Sequence, residues 1–191
     1  MQIGSLIFLG VIVIAIIYAV TLYNGLVALK HAVAKHLANI DVLLKQRHDE
    51  LPKLVETCKQ YMGYEQETLE KVIAARNRVA SAQSAGNIKS LGQAETSLRA
   101  GLSQLFALAE NYPELKADQS FNHLQQRVTG LENAIADRRE IYNESVNNNN
   151  VRIEQFPDTL IARFFNFNSF DLLEFSDQQT ADVDVKSLFN N

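Results

Sequence analysis

IGSLIFLGVIVIAIIYAVTL occupies residues 3–22 and contains no charged side chain; none occurs anywhere before Lys30. A helix rises about 1.5 Å per residue, so these twenty residues match the roughly 30 Å hydrocarbon core of a bilayer. The stretch therefore reads as a membrane span, with Ile3, Leu6, Leu9, Val13, Ile17 and Leu22 along it. A cleaved signal peptide is the rival reading. Against it, the segment lacks a basic start, its apolar run is too long for a signal core, and no small-x-small site precedes Lys30. Tyr18 and Tyr23 sit near the exit end, where amphipathic rings favour the headgroup layer, and they fit ordinary helix packing equally well. Ala15 and Ala19 make a weak small-xxx-small pair, better suited to a passive anchor than to a dimer face.

Beyond the span, Lys30 and Lys35 come before any acid, so the excess of positive charge places residues 30–191 in the cytoplasm and the short N-terminus outside. What remains of the 191 residues suffices for one compact domain. The net charge is −4, and its acidic excess lies late: Asp158, Asp171, Glu174, Asp177, Asp182 and Asp184 face only Arg163 and Lys186. That balance disfavours nucleic acid as a partner. The single cysteine, Cys58, forms no internal disulfide and belongs to no zinc-spaced cluster.

Apolar residues then recur at helical steps. Leu26, Leu29, Val33, Leu37, Ile40 and Leu44 continue the span as an amphipathic helix. Asp49 and Pro52 read as a fresh helix start, followed by Leu51, Leu54, Val55, Cys58, Tyr61, Met62, Leu69, Val72, Ile73 and Val79, with an end near residues 84–87. A third helix from about Ile88 carries Leu91, Leu98, Leu102, Leu105, Phe106 and Ala109, and Asn111-Tyr112-Pro113 stops it. The fourth is the most regular, stepping through Phe121, Leu124, Val128, Leu131, Ile135, Arg138 and Tyr142 toward Val146 and Ile153 until Phe156-Pro157. Gly130 within it costs about 1 kcal/mol relative to Ala and marks either close packing or nothing more. The expected fold is all-α: an antiparallel bundle of about four long helices that bury one another's stripes, reached directly from the membrane helix. Residues 158–165 add a short helix, and the irregular tail holds a candidate strand at Val183-Asp184-Val185. The domains are an anchor at 1–25, a bundle at 26–163 and an aromatic, acidic tail at 164–191.

Three blocks carry a resemblance to a known family: YNGLVALK at 23–30, NIDVLLKQRHDELPKLVETCKQY at 39–61, and NYPELKADQSFNHLQQRVTGLENAIADRREIYNESV at 111–146, followed by FPDTLIA at 156–162. The chain resembles the LemA family of bacterial membrane proteins from its anchor to about Ala162. It departs from the family pattern at Leu37, where a tryptophan is usual, and at the asparagines 147–150, which replace an aromatic-Asn pair. The resemblance implies a single-span protein of the bacterial inner membrane with a helical soluble part and no established biochemical activity. It also implies loose links to membrane shape and invagination, and to neighbourhoods containing membrane proteases.

No residue pattern suggests catalysis, a cofactor, a metal or a small-molecule substrate. His31 and His36 are five apart, which does not align ligands on a helix, and neither HExxH nor a Glu-x-x-His pair occurs; Ser120 stands three before His123. The block Arg47-His48-Asp49-Glu50 reads as a helix end, with Arg47 and His48 at the C-terminal dipole and Asp49 capping the next helix. Cys58 belongs to the core stripe. Candidate contacts to another subunit or a protein partner are Arg138 on the apolar seam, Asn147 and Asn150 in the asparagine run, and Phe164, Phe165, Phe167, Phe170 and Phe175. Such a concentration of phenylalanine must cover something: its own bundle first, a second chain or partner next, with lipid disfavoured by Asp171 and Glu174. Membrane lipid and further copies of the chain are the expected partners. The two functional expectations are a homo-oligomeric scaffold that organises or curves the membrane, and a cytoplasmic-face adaptor for a membrane protease or signalling protein.

Overall fold

The computed structural model describes residues 2–175. Helices α1 (Gln2–Tyr61), α2 (Gln66–Ser84), α3 (Ile88–Ala109), α4 (Pro113–Ala117), α5 (Gln119–Glu154) and α6 (Asp158–Phe164) follow in order, and no strand occurs among the described residues. The triplet Val183-Asp184-Val185 lies outside them.

The four long helices expected from the sequence are α1, α2, α3 and α5, but the first boundary moves. No helix starts at Asp49 or Pro52: α1 passes through Pro52 and ends nine residues later at Tyr61, before a break that contains Gly63. Proline within a helix removes the donor that would serve the carbonyl four residues back. That carbonyl belongs to His48, and the Arg76 Nε–H of α2 donates to it at 2.9 Å. A tertiary donor thus satisfies what the proline leaves open, and the helix continues.

The remaining connections follow from local chemistry. After α2, Gly86 takes φ +64°, its N–H donates to Gln83 O, and the Asn87 N–H reaches Ala82 O, which closes the helix with the paired bonds of a left-handed cap. Asn87 at once caps α3, accepting from the Ser90 N–H at 2.9 Å. Asp118 caps α5 by accepting from the Phe121 N–H at 2.8 Å and also receives the Tyr61 hydroxyl at 3.0 Å. The backbone bond and the tyrosine together hold the Asp118 carboxyl below its ordinary range. Asn166, at φ 55°, ends α6 as Gly86 ends α2, with the Phe167 N–H bonded to Ala162 O at 2.9 Å.

The chain forms two compact units, and both α1 and α5 contribute to each. The first comprises residues 2–45 and 133–172 and buries Leu26, Val33, Ile40, Leu44, Ile135, Tyr142 and Val146. It also carries the span, whose window of mean hydropathy 2.8 is wholly unburied. Ile3, Leu6, Leu9, Val13 and Ile17 are exposed, whereas Leu22 is covered to 8% exposure. At the end of the span Leu22 therefore faces protein, while its neighbours Val20 and Thr21 stay exposed. The second unit comprises residues 46–132 and 173–175 and buries Leu51, Leu54, Cys58, Val72, Leu98, Leu102, Leu105, Leu115, Phe121 and Val128. Each such leucine or phenylalanine contributes about 1.5–3 kcal/mol by leaving water.

Candidate functional site

Within the second unit, Arg47 does not cap a helix end. It lies mid-helix in α1, 1% exposed, with its guanidinium turned inward onto two carboxylates. One terminal nitrogen pairs with Glu95 of α3 at 2.5 Å and the other with Glu132 of α5; Arg99 Nε holds the second oxygen of Glu132 at 3.1 Å. Three helices converge on one cation. Burial works against the charge of Arg47, but the facing carboxylates outweigh it and hold the guanidinium above its ordinary value. Burial pushes the Glu95 carboxyl up, against the pull of Arg47. Its second oxygen is buried without a hydrogen-bond partner. Such a pairing is costly to break, because losing one partner leaves a buried charge stranded.

The rest of the Arg47-His48-Asp49-Glu50 block disperses. Glu50 pairs outward with Arg127 at 2.9 Å and Lys53 at 3.3 Å, Asp49 is exposed, and His48 is half-buried. Burial, joined by the nearby Arg76, lowers the His48 pKa. Cys58 is fully buried, and burial pushes its thiol up to about 12. Among the described residues no three of His, Cys, Asp and Glu stand close enough to share a metal ion.

Two residues of the asparagine run, Asn149 and Asn150, bond within the first unit. α5 continues through residues 147–150. Asn150 and Phe170 bond reciprocally, the Asn150 Nδ2–H donating to Phe170 O at 2.9 Å and the Phe170 N–H donating to Asn150 Oδ1 at 3.0 Å. Asn149, 1% exposed, donates to Asn168 O at 3.4 Å, and the Tyr142 hydroxyl donates to Asp171 O at 2.9 Å. One face of α5 thus holds the segment that follows α6 by its backbone. Asn147 and Arg138 are exposed on the same helix.

The phenylalanines divide. Phe165 and Phe167 contact the Tyr23 ring, at 4.7 and 5.8 Å between centroids, and Phe164 meets Phe165 at 4.9 Å. Phe170 is half-buried beside its clamp. In the second unit the Arg99 guanidinium lies 5.5 Å from the ring centre of Phe175, and the Glu174 carbonyl passes so close to Gly92 that a Cβ there would sit 2.0 Å from it. Gly130, by contrast, has open space around it, so the close approach lies at a different glycine.

In the sequence Glu95 and Glu132 are not singled out, and Arg47 reads as a helix-end residue. The signal existed: Ile40, Leu44, Arg47, Leu51, Leu54 and Cys58 step by four and three without interruption, as do Leu91, Glu95, Leu98 and Leu102. Placing a boundary at Asp49 broke the first stripe and hid the arginine in it.

An all-α protein with one lipid-length helix, a charge-keyed bundle and a strapped C-terminal segment is a membrane protein of helical-bundle type. The LemA family pattern matches residues 36–187, and the chain belongs to the LemA family. The match begins past the span and extends beyond Ala162. Among curated proteins, the chain is similar to Magnetosome protein MamQ of Magnetospirillum gryphiswaldense, 21% identical over 168 residues that cover 76% of this chain and 62% of that one. It is also similar to Magnetosome proteins MamQ 1 and MamQ 2 of Paramagnetospirillum magneticum, each 30% identical over 77 residues, covering 40% of this chain and 28% of the relative. The chain thus spans less than two thirds of the length of these relatives.

Proposed function

We propose that this protein is a non-enzymatic, single-pass scaffold of the bacterial inner membrane, which packs with copies of itself on the cytoplasmic face and so organises or shapes the bilayer. The supporting observation is α1, one helix from Gln2 to Tyr61 that carries both the span and a wall of the packed bundle. Because the span runs unbroken into the part of α1 that packs in the first unit, lateral packing of copies through that unit would impose an angle on the anchors, which a hinged anchor would absorb. The MamQ relatives are named for the magnetosome and not for a reaction, which favours the same reading. The cytoplasmic placement rests on Lys30 and Lys35.

Size analysis after gentle detergent extraction tests the scaffold: an assembly well above the 21.4 kDa of one chain is expected, and a clean monomer at high protein concentration overturns it. Truncation after Phe175 leaves the described contacts in place. If that truncation keeps the assembly intact but loses a membrane protease or signalling partner, the adaptor reading replaces the scaffold.

A further inference from the structure

Leu160 and Phe164 of α6, and Phe156 two residues before its start, are 58%, 79% and 79% exposed, while Asp158 and Ala162 on the other face of α6 are 4% and 2% exposed. The short helix is therefore amphipathic with its apolar side outward, the reverse of a helix that serves a water-facing domain. Phe165 adds a half-exposed ring to the same patch. Among the described residues outside the span, the other exposed large apolar side chains, Val42, Tyr64, Val151 and Leu172, are scattered singly. Four in ten consecutive positions form a patch of the kind that marks a contact surface.

The depth of the patch is set by contacts within the first unit. Phe165 rests on Tyr23, and Phe164 rests on Phe165, so these two rings stand one and two ring contacts from the residue that follows the span. Leu22, the last residue of the span, is already covered by protein. We propose that α6 lies flat in the headgroup layer of the bilayer that α1 crosses, with Phe156, Leu160, Phe164 and Phe165 inserted at the boundary with the acyl chains.

The charges on α6 fit that occupant. Its one acid, Asp158, is turned inward and paired with Arg152 at 2.6 Å. Its one base, Arg163, is exposed beside the stripe, where a long stem lies along apolar surface while the guanidinium reaches lipid phosphate. Asp171 and Glu174, which counted against lipid in the sequence, fall beyond Phe170 and off the stripe. Continuity with the span selects lipid over a second copy of the chain: the patch borders a surface that is in lipid already.

The chain contains no tryptophan, so one introduced ring reports its own surroundings. The full chain is reconstituted in vesicles of phosphatidylethanolamine and phosphatidylglycerol as Phe164→Trp, with Ile12→Trp in the span and Tyr64→Trp, a 97% exposed position, as references. Lipid brominated high on the acyl chain is expected to quench Phe164→Trp severalfold and to shift little of its emission to acrylamide quenching. Ile12→Trp responds to deeply brominated lipid, and Tyr64→Trp to acrylamide alone. Acrylamide quenching of Phe164→Trp at the level of Tyr64→Trp overturns the proposal, and so does shielding from both quenchers, which indicates a protein cover. Failure of Ile12→Trp to respond to brominated lipid removes the span and the proposal together. Because none of these readouts depends on self-assembly, a monomer leaves the test intact.

Discussion

The two units hold themselves together with different polar chemistry. In residues 46–132, side chains of opposite charge from three helices meet at Arg47, and each partner is itself part of a helix. In residues 133–172, neutral groups of one helix, Tyr142, Asn149 and Asn150, hold a segment that has no helix of its own. The difference follows from what must be satisfied. Helices arrive with their backbone bonds complete, so only side chains can key one to another, and a buried charge enforces the pairing strongly. A segment without secondary structure arrives with free N–H and C=O groups, and an amide, which donates and accepts at once, matches them.

The charged key should be the costlier to break. Arg47→Ala leaves Glu95 without its counter-ion and is expected to destabilise the second unit by about 3–5 kcal/mol. Cys58 is a built-in reporter, because its buried, protonated thiol reacts only when the bundle opens; the alkylation rate should rise steeply in Arg47→Ala. Replacing Arg47 and Glu95 together by Met and Leu should recover much of the loss, since the paired charges are worth more as a specification than as net stability.

Gly92→Ala tests the strap where it meets the same unit. Its Cβ would occupy the place of the Glu174 carbonyl, so the strap must lift, at a cost of about 1–3 kcal/mol. Hydrogen exchange should accelerate at residues 173–175 while Cys58 alkylation stays at the wild-type rate; faster alkylation would mean that the strap supports the core.

Asn150→Ala removes both bonds to Phe170 and should cost about 1–2 kcal/mol, felt as faster exchange of the Phe170 amide. Asn150→Asp sharpens the comparison: it keeps the acceptor for the Phe170 N–H and loses the donor to Phe170 O, so only half of the clamp should survive.

The smallest effect is expected at His48. Its folded pKa lies below the unfolded value of about 6.5, so the folded state favours the neutral ring. This contribution is complete above that value and is lost as pH falls through it toward the folded pKa. Imidazole shifts followed by NMR should give a midpoint below 6.5, and a midpoint above it would mean that Asp49 outweighs burial and Arg76.

The helices were legible because their stripes are local. Leu98, Leu102 and Leu105, or Val128 and Ile135, announce a buried face by spacing alone, and each is buried. Pro52 misled for a specific reason: the donor that lets α1 pass through it comes from Arg76, 28 residues away in sequence from His48. The asparagine run gave no such pointer: the fourth helix was expected to run through it, and it does, but the backbone partners of Asn149 and Asn150, at Asn168 and Phe170, lie 19 and 20 residues further on.

The sequence alone determined the uncharged lipid-length helix, the all-α character and the positions of the buried stripes, because hydrophobic spacing acts over a few residues and needs no partner to be recognised. Only the tertiary structure decided that Arg47 is a hub and that the asparagines grip the chain's own backbone. It also decided that α6 turns its apolar side outward beside Tyr23. Each of these joins residues far apart in the chain, such as the 85 positions between Arg47 and Glu132, and periodicity carries no information about which distant side chain completes a charge or an amide.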